Sequence, residues 1–322
     1  MCMPPCLSDG VAKVFFATDI HGSEVCWRKF LNAPKFYGVD VLILGGDMTG
    51  KALIPIVREG NRYEVVLQEQ HYVLETDEEV VRMERRIAGH GYYPVRMNRD
   101  EMAALRANPD MVDRLFQERM RSTLEHWMAL AEEKFSRKPI PCYVCPGNDD
   151  RPETEEVIAK STVVEPAEGR TVEIDGVEMI STGWSNPTPW ETYRECSEDE
   201  LATRIERMTS GLHDPARAIF NLHCPPHGSK LDEAPALDKE LRPLHGGQLL
   251  RPVGSTAVRD AIMRHQPQLS LHGHIHEARG VARLGRTLAI NPGSSYETGI
   301  LQGAVIEIDA RRGVRTYALV SG

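Results

Sequence analysis

Five times along this chain, an apolar run that reads as a buried strand ends at once in residues able to bind a metal ion. VFFATDIH ends in Asp19 and His21, VLILGGD in Asp47, and CYVCPGND in Asn148 and Asp149. AIFNLH ends in His223, and QLSLHGHIH in His274 and His276. Continuous apolar runs of this kind fit strands covered on both faces, and α/β folds bind ligands at the carboxyl ends of their strands. A lone Asp-x-His is a common accident, and a lone strand-terminal histidine is more often a hydrogen-bonded core residue. Five such endings beside Gly or Pro restrict the fold much further.

The residue types share one chemistry. Imidazole suits zinc, iron and manganese, whereas carboxylate and amide oxygens suit manganese and magnesium. Oxygen donors from Asp19, Asp47 and Asn148, with imidazoles from His21, His223, His274 and His276, fit a pair of divalent ions (Mn, Fe, Zn or Mg, with Mn favoured). Two such ions roughly 3.5–4 Å apart clamp a phosphate and lower the pKa of a bridging water, so that hydroxide is available near neutral pH.

The order DIH, GD, GNDD, HCPPHG, GHIH resembles the calcineurin-like metallophosphoesterases, whose pattern is D-x-H, G-D, G-N-H-D/E, a lone His and G-H-x-H. The likeness runs from Val14 to about Ser294. It implies a four-layer α/β/β/α sandwich with the site at the strand ends. It places Asp19, His21 and His276 on a first metal and Asn148, His223 and His274 on a second, with Asp47 bridging both. It implies metal-dependent hydrolysis of a phosphate ester, with Asn148, Asp149 and His223 at the reacting centre. One departure bears on substrate. The family's histidine after G-N, which stabilises the transition state or protonates the leaving group, is Asp149 here. An ionised carboxylate repels a doubly charged monoester more than a singly charged diester, which favours a phosphodiesterase. The alternatives are a monoesterase acting on a nucleotide or small metabolite, and a non-catalytic scaffold. A retromer subunit of the same fold also departs at that histidine, but here every implied metal ligand is present.

The 322 residues read as a single domain with an inserted hairpin-plus-helices element at about 51–138, a lid, a homodimer interface or decoration. The hairpin turns at Gly60–Asn61, and Thr76 with Glu79 forms a capping box. Asn108–Pro109–Asp110 opens a long helix whose apolar stripe is Val112, Phe116, Met120, Leu124, Trp127, Ala131 and Phe135. A short helix carrying Val25, Phe30 and Leu31 follows the first strand, and helices are expected over Ser197–Met208 and Thr256–His265.

Around the motifs, Trp184, Asn186 and Trp190 in the loop WSNPTPW are candidates to line a substrate pocket, or else they plug the loop onto the sheet. Arg151 and Arg279 follow ligand motifs and are candidates to grip a phosphate, or else to form surface ion pairs. His227 and His272 are candidate supporting groups or replacement acids. His71, His90, His126, His213, His245 and His265 receive no role.

A net charge of -9 argues against broad adhesion to nucleic acid or anionic membrane, while leaving a small-molecule or nucleotide phosphate ester open as substrate. No apolar run approaches the roughly 20 residues needed to span a bilayer. The opening MCMPPCLSDG has no basic region followed by an apolar stretch, so a cytoplasmic protein is expected. Seven cysteines make a poor disulfide framework. Cys142 and Cys145 stand three apart on a strand, which turns them to opposite faces as small buried hydrophobes rather than a metal clip.

Overall fold

The structure is a computed structural model that describes residues 10–322; Cys2, Cys6 and nearly all of the opening segment lie outside the described residues. In chain order the elements begin β1 (Val11–Ala17), α1 (Glu24–Tyr37), β2 (Val41–Leu44), β3 (Leu53–Glu59), β4 (Arg62–Leu67), β5 (Gln70–Leu74), α2 (Asp77–Gly89), β6 (Tyr93–Asn98), α3 (Arg99–Ala107) and α4 (Pro109–Phe135). There follow β7 (Cys142–Val144), α5 (Glu153–Ile158), β8 (Glu165–Pro166), β9 (Thr171–Ile174), β10 (Val177–Thr182), α6 (Glu198–Thr209), β11 (Ile219–Leu222), β12 (Glu233–Pro235) and β13 (Leu250–Pro252). The chain ends α7 (Thr256–His265), β14 (Leu269–Leu271), β15 (Gly280–Leu284), β16 (Thr287–Asn291), β17 (Gln302–Asp309) and β18 (Gly313–Ser321).

Two six-stranded sheets carry the architecture, ordered β18-β17-β1-β2-β7-β8 and β15-β16-β14-β11-β10-β9. Alternate side chains of each strand point to opposite faces, and the apolar runs use both. Val14, Phe16, Val41, Ile43 and Cys145 meet Met179, Ile219, Leu269, Leu271 and Ile290 between the sheets. Phe15, Ala17, Leu42, Leu44, Cys142 and Val144 face α1 and α4, while Ile180, Phe220 and Leu222 face α6 and α7. Helix, sheet, sheet and helix thus form the expected four layers. Cys142 and Cys145 lie in different apolar clusters, on the two faces of the first sheet.

Two helices deviate from the pattern read in the sequence. Val25 is 38% exposed, and the buried face of α1 is built instead by Cys26, Trp27, Phe30 and Leu31. On α4 the stripe is buried from Met120 onward, with Phe116 partly covered and set edge-on to Tyr93, and Val112 exposed. Trp127 is fully buried and stacks on Trp27 with ring centroids 5.2 Å apart. We expect Trp127→Ala to cost about 3–5 kcal/mol, read as a shift in the urea midpoint.

The stretch from 51 to 138 contains two different things. β3 to β6 make a separate four-stranded sheet, order β5-β4-β3-β6, with α2 packed on it. Ile56, Val65, Leu67 and Leu74 meet Val80, Met83 and Ile87 in a core of its own. β5 and β6 extend the hairpin read from the sequence. β5 is short and β6 contains Pro94, so neither carries a strong strand signal. The long helix α4, by contrast, packs into the core of the first sheet and forms part of the outer layer of the sandwich. We expect this accessory sheet to survive limited proteolysis of the native protein; cleavage spread rapidly through residues 53–98 would contradict that.

Candidate metal centre

β1, β2 and β7 run parallel in the first sheet, and β10, β11, β14 and β16 run parallel in the second. Their carboxyl ends therefore open on one side. The loops that follow are laced together by backbone hydrogen bonds: Asp19 N to Gly46 O at 2.9 Å, His21 N to Asp47 O at 2.9 Å and Gly273 N to His223 O at 2.9 Å. Asp19, His21, Asp47 and His274 all adopt positive φ, between 37° and 66°. Such a backbone is strained for residues with a Cβ and clusters at functional sites. Close approach explains two glycines. A Cβ on Gly46 would strike the His223 ring, and one on Gly147 would strike Asp47.

The candidate ligand atoms form two groups, Asp19 with His21 and His276, and Asp47 with His223 and His274, each within 4.8 Å. Asp47 Oδ2 lies between them, 3.6 Å from His21 Nε2 and 3.4 Å from His223 Nε2. His276 Nε2 is 3.4 Å from Asp19 Oδ1 and 3.1 Å from His21 Nε2. Two imidazole nitrogens at that distance must share a proton or face a cation. Asn148 Nδ2 donates to Thr192 Oγ1 at 2.7 Å, which turns Oδ1 inward to 3.1 Å from His223 Nε2. The other nitrogen of His223, Nδ1, sits 3.2 Å from the Gly45 carbonyl, so Nε2 is the one presented to the cluster. These donors fit divalent ions on the chemistry of their oxygens and imidazoles.

Electrostatics follow from the crowding. Burial pushes the Asp47 carboxyl up, but His223, with His21 and Lys51, holds the group well below the usual range. Asp19 is held low in the same way, by His223 and His276. Burial opposes a charge on His223, yet Asp47 and Asp19 push it up to about 9. Burial and the charge on His223 take His274 down to about 4. Asp149 is pushed up to about 6 by burial and by Asp47, against the pull of Lys51.

Other residues place the ligands and carried little signal in the sequence. Thr18 Oγ1 donates to Asp19 Oδ2 at 2.7 Å, and Ser294 Oγ to the Asp19 carbonyl at 2.6 Å. The fully buried Asp150 accepts from Met48 N, Thr49 N, Thr49 Oγ1 and Gly147 N, so it ties the Asp47 loop to the Asn148 loop. It is the second aspartate of GNDD and fills the D/E place of the G-N-H-D/E pattern, which was the cue to it. Thr192 comes from a remote loop and had none.

The outlying candidates have other partners. Trp184 packs on the apolar cluster between the second sheet and helices α6 and α7, with the Arg204 guanidinium 3.9 Å above its ring. Asn186 bonds the Val253 carbonyl and the Cys224 thiol, and Trp190 is 62% exposed. Arg151 pairs with Asp113 and lies over Phe116 and Tyr193, and Arg279 donates to the Val320 carbonyl. His272 is buried with both ring nitrogens bonded, to Ser270 and to the Leu222 and Cys224 carbonyls, and burial takes it down to about 4. His227 is half-exposed, 3.9 Å from Asp232.

Four layers with an Asp/His cluster at the parallel strand ends define the metallophosphoesterase type of fold. The structure of TT1561 from Thermus thermophilus shares it at a TM-score of 0.51, with 13% identity over 97% of this chain and 98% of that one. Another solved structure overlaps at a TM-score of 0.53, with 14% identity over 96% of this chain and 98% of that one. An archaeal phosphodiesterase superposes at 0.34 with 12% identity, covering 96% of this chain and 99% of that one, too loosely to bear on activity. No family model matches the chain. Over 151 residues it is 30% identical to the uncharacterized protein MJ1162 of Methanocaldococcus jannaschii, a match that covers 46% of this chain and 61% of that protein's length. Among the described residues, no helix is long and apolar enough to cross a membrane.

Proposed function

We propose that this chain hydrolyses phosphate esters with two divalent cations, and that diesters are its preferred class. The observation that carries this is Asp47, whose carboxylate stands between His21 and His223, 3.6 and 3.4 Å away, and so belongs to both groups. Asp19, His21 and His276 would hold one cation, and Asn148, His223 and His274 the other, with Asp47 shared. Bound there, the cations supply Lewis acidity and a nucleophile near neutral pH. The chain's own residues do the orienting. Asp150 and the hydrogen bonds between loops fix the ligand positions, and the sheet ends leave one open side for the ester. The preference for a diester rests on Asp149, a carboxylate on that open side.

The test is hydrolysis of chromogenic phosphate esters by protein stripped of metal and reloaded with manganese, alongside metal analysis. Activity that rises to a plateau at two ions per chain is expected. Full loading without turnover of any mono- or diester would leave a scaffold of the same fold.

A further inference from the structure

The residues after Asp47 have little freedom. Met48 N and Thr49 N donate to the Asp150 carboxylate at 3.0 and 2.8 Å, and Gly50 N to the Tyr93 hydroxyl at 2.7 Å. Tyr93 belongs to β6 of the accessory sheet. Lys51 comes next, with its base held by both contacts, and its Nζ lies 3.8 Å from Asp149 Oδ2. Asp149 is held from the other side. Its backbone N donates to Asp47 Oδ1 at 2.9 Å, and its Oδ2 lies 3.9 Å from His21 Nδ1, a buried nitrogen with no hydrogen-bond partner. The side chains of Lys51 and Asp149 are 42% and 29% exposed, so they form an open rim on an otherwise buried cluster.

The nearby arginines are committed elsewhere. Arg151 is taken by Asp113 and two rings, Arg194 by Glu155 and the Asp150 carbonyl, and Arg279 by the Val320 carbonyl.

We infer that Lys51 contacts a phosphoryl oxygen of the substrate, and that Asp149 is the positioning residue that aims its ammonium there. This rests on the phosphoester-hydrolase reading and deepens it. Where a histidine would bring donor and charge in one side chain, the donor and charge come here from Lys51 and the orientation from Asp149. Lys51 makes and breaks no covalent bond; it offers N–H donors to a developing negative charge. The accessory sheet gains a task as well, since Tyr93 holds the residue before Lys51.

The test uses the full chain loaded with manganese and compares Lys51→Met, Lys51→Arg and Asp149→Asn with wild type. Calorimetry measures the binding of inorganic phosphate, and kcat and KM are taken on bis(p-nitrophenyl) phosphate, with metal content and melting temperature as controls. A charge-assisted contact predicts that Lys51→Met weakens phosphate binding about tenfold and lowers kcat/KM about 10- to 100-fold. Metal stoichiometry should stay at the wild-type value. Lys51→Arg should restore part of both losses, and Asp149→Asn, which loses the aim of Lys51 together with the repulsion of its own carboxylate, should lower kcat/KM on the diester to a value between wild type and Lys51→Met. Phosphate affinity and kcat/KM within about twofold of wild type in Lys51→Met would overturn the inference. Lys51-dependent phosphate binding by a protein that hydrolyses no ester would support the contact and count against the hydrolase reading alone.

Discussion

Exhaustive chelation is expected to abolish hydrolysis and lower the melting temperature, and manganese to restore both. The reason is the concentration of costly features at one place. Asp19 and Asp47 are buried at 1% and 3% exposure, within reach of four imidazoles. A buried charge is tolerated only when paired. Without cations the two carboxylates depend on protonated histidine, chiefly His223. Four ligand residues also hold left-handed backbone, at a cost of about 1 kcal/mol or more each. Ligation offsets these costs only in the folded state, so it appears as stability. At a cation concentration near 100 times Kd the linkage term is about 2.7 kcal/mol per site, which corresponds to at least several degrees in a chain of this size. Asp47→Ala should be the most damaging single ligand change because it removes a donor from both groups. If the cations supply several kcal/mol of transition-state stabilisation, the loss in kcat/KM is about a thousandfold or more. Undiminished activity in protein shown to be metal-free would sink the two-cation reading.

The legible parts of this protein were those in which one local pattern does one job. Apolar runs such as VFFA and VLIL announce strands covered on both faces, because nothing polar interrupts them. The candidate ligands stand at the ends of those runs, so motif and fold could be read together. α4 was legible from its stripe and its Asn108 cap, but its place was not. Sequence adjacency put it with the hairpin, whereas Trp127 stacks on Trp27, a hundred residues earlier, in the sandwich itself. The supporting shell was harder still. Asp150 works by accepting backbone N–H groups from the Met48–Thr49 turn, and backbone donors look the same in any sequence. Thr192 orients Asn148 across a separation of 44 residues, and Lys51 meets Asp149 only because the accessory sheet leaves and returns between them. For Trp184 and Trp190 residue type left two readings open, stacking on a ligand or plugging the loop onto the sheet. One ring lies under Arg204 and the other stands exposed on its loop.

Asp149 sets the expected choice between ester classes. A histidine there could carry a proton and a positive charge toward the leaving oxygen; an aspartate cannot carry positive charge. It could act as an acid only while protonated. Its own surroundings push it up to about 6, so above that pH it is ionised, and divalent cations nearby would favour the ionised form further. Lys51 offsets part of this charge from 3.8 Å, but both groups remain half open to water, where such pairs are weak. The rim therefore keeps a carboxylate that repels a monoester, with nearly two negative charges, more than a diester with one. The wild type is accordingly expected to hydrolyse bis(p-nitrophenyl) phosphate in preference to p-nitrophenyl phosphate. Nitrophenolate leaves without protonation, so these substrates isolate the charge effect from the missing acid. Asp149→His removes the repulsion and adds a group able to donate, while giving up the carboxylate that aims Lys51. A unit charge several ångströms from the phosphate at intermediate screening is worth about 1–2 kcal/mol, so the monoester-to-diester ratio should rise about tenfold. A wild type that prefers the monoester, with a ratio unmoved by Asp149→His, would show that this charge does not govern the choice. The acid would then have to be sought in His227, half-exposed beside Asp232, because His272 has both ring nitrogens committed inside the second sheet.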